Sequence, residues 1–206
     1  MFVMAHRNHI RVAPDGLPEL RQQISVNLRE DQRNRIQWIG EQCGIVADDG
    51  EVPRTEMLRL LLVIAVTPRA NVETRARYAL RSNLTYMLSA VGKRLASLYP
   101  TTNRRALQIG SRGVPSLVCA RLGSWLHDQM RIAVAHKMAQ GYPALNRALP
   151  SILDDALSDP GCDAVCARYG QMTSGLRKEI LVMEQRIARE VKPMVMRALG
   201  MEEVAA

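Results

Sequence analysis

The chain has 206 residues, a formal net charge of +8 and only 4% aromatic residues. Such a length buries a sizeable core in one or two domains, and the longest apolar run, Leu60 to Val66, is far too short to span a bilayer. The positive balance suits an anionic partner, whereas so few aromatics argue against single-strand binding by base stacking.

Residues 1–22 contain Pro14, Asp15-Gly16 and Pro18 with little periodicity, which predicts a flexible arm. His6, Arg7, His9 and Arg11 make it mildly basic. From Gln23 to Leu28 the chain alternates: Ile24, Val26 and Leu28 are apolar, and Gln23, Ser25 and Asn27 are small and polar. A period of two predicts one half-buried strand. No second strand is predicted after Leu28, and a lone short strand is not stable. The expected partner is therefore the same strand of a second copy, giving a homodimer or higher assembly with an antiparallel ribbon across a twofold axis. Such a ribbon fits the major groove of double-stranded DNA, with its polar face toward base edges.

A first helix is predicted from Glu30 to Gln42, with Ile36, Ile39 and Cys43 on its apolar stripe and Gly44 as its stop. A second is predicted from Arg54 to Val66, ended by Thr67-Pro68. It carries Met57, Leu58, Leu61, Leu62 and Ala65 and is apolar almost all round in its last two turns, as a helix covered on several sides would be.

With these pieces in view, residues 23–66 resemble the ribbon-helix-helix DNA-binding family. The likeness lies in the strand, the acidic Glu30, the helix with Ile36, Ile39 and Cys43, then Gly44, then Pro53-Arg54-Thr55-Glu56-Met57-Leu58. The connection Ile45 to Glu51 is longer than the family's usual one. The resemblance implies that Gln23, Ser25 and Asn27 read bases and that Arg54 and Thr55 hold phosphate; Arg29, beside the strand, is a further candidate phosphate contact, although it stands where the family more usually has a capping hydroxyl. Elementary chemistry agrees. Asn and Gln form bidentate hydrogen bonds to adenine, and a helix start offers backbone N–H groups and a positive dipole end to an anion.

The remainder reads as helical. Val72 to Leu98 is amphipathic, with breaks at Tyr99-Pro100 and Gly113-Val114-Pro115. Ser116 to Gln140 is predicted as one helix, followed by Gly141-Tyr142-Pro143 and a short helix to about Leu157. After Asp159-Pro160-Gly161 a last long pattern, Val165 to about Leu199, is interrupted by Pro193. The expected fold is mainly α: an arm (1–22), a ribbon-helix-helix domain (23–68) and an all-α C-terminal domain (69–206). The basic residues between Arg69 and Arg112 are opposed only by Glu73, so this stretch alone carries a charge equal to that of the whole chain. Arg69, Arg75, Arg77 and Arg81 are its candidate extra phosphate contacts, with strong salt dependence as the consequence.

Enzyme chemistry is not expected. The four histidines lack ligand spacing, no phosphate-binding glycine loop is present, and Cys162 and Cys166 share a helical face with no histidine near. No cofactor or metal is expected. Cys43 and Cys119 read as core thiols, and all four cysteines as reduced in a cytoplasmic protein. Two roles suit the chemistry: a transcriptional regulator, or a relaxosome accessory factor in plasmid conjugation that engages a relaxase through its C-terminal helices. The alternative from another class is a helical scaffold that binds protein and not DNA.

Overall fold

The computed structural model describes residues 11–47, 50–97, 117–142 and 144–198. They are mainly helical, with one two-stranded sheet. Strand β1 (Gln23–Asn27) leads through Leu28 and Arg29 into α1 (Glu30–Gln42), then α2 (Arg54–Val66) and α3 (Val72–Ser97). Strand β2 (Leu117–Arg121) leads into α4 (Ser124–Ala139) and α5 (Leu145–Leu157). The chain continues as α6 (Cys162–Arg186), a π-helical stretch (Ile187–Val191) and α7 (Lys192–Ala198). Helices α1 and α2 have the ends that their spacing predicts.

The partner of β1 is not the predicted one. β1 pairs antiparallel with β2 of the same chain, Gln23 opposite Arg121, Ser25 opposite Cys119 and Asn27 opposite Leu117. This corrects the expectation of pairing across a dimer axis. It also corrects the expectation of no strand after Leu28 and of a helix starting at Ser116. Val118, Leu122, Leu126 and Met130 recur at helical spacing, which hides the strand. Gly123 interrupts that run: it stands extended (φ −69°, ψ 160°) as the N-cap of α4. Before it, Val118 and Ala120 are buried while Leu117, Cys119 and Arg121 face outward.

β1–α1–α2 and β2–α4–α5 are counterparts. Both strands have five residues, and α2 and α5 both have thirteen. Ser25 and Cys119, facing each other at the ribbon centre, are 94 positions apart. The same offset relates Ile24 to Val118, Leu28 to Leu122, Ile36 to Met130 and Gly40 to Val134, all buried. In the second helices Met57, Leu58, Leu61 and Leu62 answer to Ala148, Leu149, Ile152 and Leu153, again all buried. Each first helix ends on a left-handed glycine, Gly44 (φ 66°) and Gly141 (φ 94°), where a Cβ would strain the backbone.

The two units interlock. α2 packs on α5 and across β2, and α5 packs across β1. One apolar core runs through both, so the boundary expected at residue 68 does not separate two cores. Leu60, Val63 and Ile64 are buried as well, because α3 and α6 cover the side of α2 that α5 leaves open. α6 approaches α1 closely: a Cβ added at Gly170 would overlap the Cys43 carbonyl.

Of the predicted arm, residues 1–10 lie outside the described residues. Residues 11–22 are tied down and not free: Val12 bridges Pro18, Arg131 Nε donates to the Pro18 carbonyl (2.8 Å), and His127 Nε2 lies 2.9 Å from the Leu20 carbonyl oxygen. Leu20 is buried in the core.

Candidate nucleic-acid interface

Pleating sends alternate residues of the two strands to opposite faces. Ile24, Val26, Val118 and Ala120 enter the core, and the other face is exposed. That outer face is Gln23, Ser25 and Asn27 from β1 with Leu117, Cys119 and Arg121 from β2. It carries no carboxylate. Ser25 Oγ and Cys119 Sγ lie 3.1 Å apart at its centre. The three strand residues expected to read bases are thus together and outward. Their three neighbours from β2 escaped sequence reasoning, because a mostly apolar run gives no alternation. The signal that would have found them is the 94-residue offset of the apolar positions.

The start of α2 flanks this face. Thr55 Oγ1 donates to the Cys119 carbonyl (3.3 Å), which fixes the Arg54–Thr55 corner beside β2. The matching start of α5 presents Asn146 and Arg147, both exposed. Arg29 is differently engaged. Its guanidinium donates to Asp154 Oδ1 (2.7 Å) and Asp31 Oδ2 (3.0 Å), and these hydrogen bonds hold its pKa above the ordinary arginine value. Arg29 is thus shared between two carboxylates, with half of its side chain exposed. Gln32 Nε2 joins the same Asp154 oxygen (2.9 Å), which ties α1 to α5.

The expected extra contacts divide. Arg75 is corrected outright: it is 4% exposed, its Nη1 and Nη2 donate to Asp159 (3.0 and 2.7 Å), and Nη2 also donates to the Ile64 carbonyl (2.9 Å). It is a cation at the C-terminal end of α2, where the helix dipole favours it. Arg77 is exposed but paired with Glu73 (2.8 Å). Arg69 and Arg81 are exposed. Arg69, Arg75 and Arg77 follow the C-terminal end of α2, about 18 Å along the helix from its ribbon end. Arg104, Arg105 and Arg112 of the basic stretch lie outside the described residues, as do the side chains of Lys93 and Arg94.

A polar network braces the ribbon from behind. Arg59 Nε donates to the Arg121 carbonyl (2.8 Å) and its Nη1 to Asn83 Oδ1 (3.2 Å), while its guanidinium stacks 3.7 Å from the Tyr86 ring centre. Burial pulls the Arg59 pKa down from its usual value. Glu56 Oε1 accepts from Tyr169 OH (2.7 Å) and from Arg177 Nη2 (2.5 Å). Burial, and then the Glu56 charge, push the Tyr169 phenol well up, so it stays protonated as a donor. The network therefore links the main chain at Arg121 to α2, α3 and α6. Beside it lies a cavity of about 310 Å³ reached by Thr55, Glu56, Arg59, Asn83 and Arg177.

Among the described residues no three or more His, Cys, Asp and Glu side chains converge as metal ligands would, and no helix is long and apolar enough to cross a membrane. Cys162 and Cys166 are buried, unbridged thiols at the start of α6. No family model matches the chain, and no match was found to a curated protein or to a solved structure.

Proposed function

We propose that this chain binds double-stranded DNA by laying the outer face of the β1–β2 ribbon in the major groove. The observation that carries the reading is that face itself: two antiparallel strands, an amide, hydroxyl and guanidinium surface, no carboxylate, and a helix start on its flank. A ribbon of two strands fits a groove about 12 Å wide. Gln23, Ser25, Asn27 and Arg121 are the base-reading side chains, and Arg54 with Arg147 holds phosphate. In this reading the layout is that of a ribbon-helix-helix protein whose two halves come from one chain.

The test is binding of duplex DNA flanking the chain's own gene, followed by fluorescence anisotropy. Affinity falls steeply with salt as phosphates are neutralised, and replacing Gln23, Ser25 and Asn27 together by Ala weakens sequence preference, leaving the part read by Arg121. Affinity that is flat with salt, or an unaltered preference in the triple variant, refutes the proposal. Promoter occlusion and accessory work in plasmid mobilisation both use this chemistry, and a relaxase gene next door selects the second. A protein-docking reading has its own observation: Val182, Met183 and Met194 of α6 and α7 stand 60% or more exposed.

A further inference from the structure

We infer that residues 117–157 are a second reading unit, and that one chain therefore recognises a non-palindromic sequence. This rests on the DNA-binding reading above. A ribbon made from two identical strands has the same residues at both ends, and the duplex it prefers repeats about a dyad. Here the strand register is symmetric about Ser25 and Cys119, so each outward position of β1 has a counterpart on β2. The counterparts differ in chemistry. Gln23 answers to Leu117, Ser25 to Cys119 and Asn27 to Arg121.

The antiparallel register sorts these six into two unlike ends. One end pairs Gln23 with Arg121, and the other pairs Asn27 with Leu117. Arg forms a bidentate pair with guanine O6 and N7, and Gln does so with adenine, so the first end selects guanine beside adenine. Asn takes adenine, and an apolar side chain meets the thymine methyl, so the second end selects an A·T pair. Leu117 is 48% exposed on a face that is otherwise polar or thiol. Contact with a thymine methyl removes that apolar surface from water. The Arg121 main chain is held by Arg59, so its side chain leaves a fixed backbone. The flanks differ likewise, Arg54-Thr55 on α2 against Leu145-Asn146 on α5, with the exposed Arg147 one residue further along. Because β2 already occupies the pairing edge of β1, the ribbon is complete without a second copy.

The experiment is selection of duplexes from a random library by the full chain, repeated with Arg121→Ala and Asn27→Ala. Both side chains are exposed, and unchanged circular dichroism verifies the fold. The expected consensus lacks a dyad across the contacted bases. Arg121→Ala relaxes a guanine at one end about tenfold, Arg121→Lys does so in part, and Asn27→Ala relaxes an adenine at the other end only. A consensus with a dyad, relaxed at both ends by either variant, overturns the inference and leaves the DNA-binding reading standing. So does an Arg121→Ala variant with no change at either end. Absence of any duplex binding overturns both.

Discussion

The two strand-helix-helix units share a frame and differ at the surface. At the matched core positions the apolar character is kept while shape or size varies: Leu61 against Ile152 in branching, Ile36 against Met130 in shape, Met57 against Ala148 in size. At the matched outer positions even the chemical class changes, as with Asn27 and Arg121. Their second helices also meet different surroundings. α2 is enclosed by α5, α3 and α6, whereas α5 keeps Asn146 and Arg147 in solvent. The lesson is that burial constrains polarity at every second or fourth residue, and the residues between are left to set recognition.

Five measurements press on this comparison. The largest effect is expected in the shared core. Leu61→Ala and Ile152→Ala should each lower stability by about 2–5 kcal/mol in denaturant titration, since both are buried in one cluster. A silent Ile152→Ala would mean that the second unit does not belong to that core. Next is the Arg75–Asp159 pair, which joins the C-terminal end of α2 to the turn after α5. Asp159→Asn leaves a buried guanidinium without its carboxylate and should cost about 3 kcal/mol.

The same pair gives a pH dependence. Arg75 holds the Asp159 carboxyl below its ordinary value. Above that ordinary value of about 3.8 its contribution is fully present, and it is lost as pH falls through the depressed folded value. Acid unfolding of the native chain should therefore include a component between pH 4 and lower values (about one proton) that Asp159→Asn lacks. Equal acid profiles for the two proteins would refute it.

A smaller effect is expected at the flanks. Arg54→Ala and Arg147→Ala should weaken duplex binding uniformly across sequences, each reducing the log–log salt slope by about 1. If only Arg54→Ala does so, the second unit does not touch phosphate. The smallest is Arg77→Ala: it is an exposed residue near the start of α3, and its loss should change stability by less than about 0.5 kcal/mol.

Much of the helical layout was legible, and the reason is local. Gly44 and Pro68 mark the ends of α1 and α2, and the spacing of Ile36 with Ile39 and of Leu58 with Leu61 and Leu62 marks their buried faces. The outward set Gln23, Ser25 and Asn27 was legible by the same logic, since alternation is a property of neighbours. β2 was not. Leu117 to Arg121 carries four apolar residues in a row, consistent with a strand or with the first turn of the helix that follows. Arg75 was illegible for a different reason. It sits in a run of arginines, and only its approach to Asp159, 84 positions away, takes it out of solvent.

The amino-acid order by itself determined where helices start and stop and which side of β1 is wet, because these follow from φ/ψ preference and short-range periodicity. Tertiary structure alone decided that β1 joins β2 of its own chain, that α3, α5 and α6 are the helices that cover α2, and that Arg75 braces a helix end. Strand pairing and ion pairing are long-range choices. Each depends on which apolar faces find cover first in space, and no window of neighbouring residues contains that information.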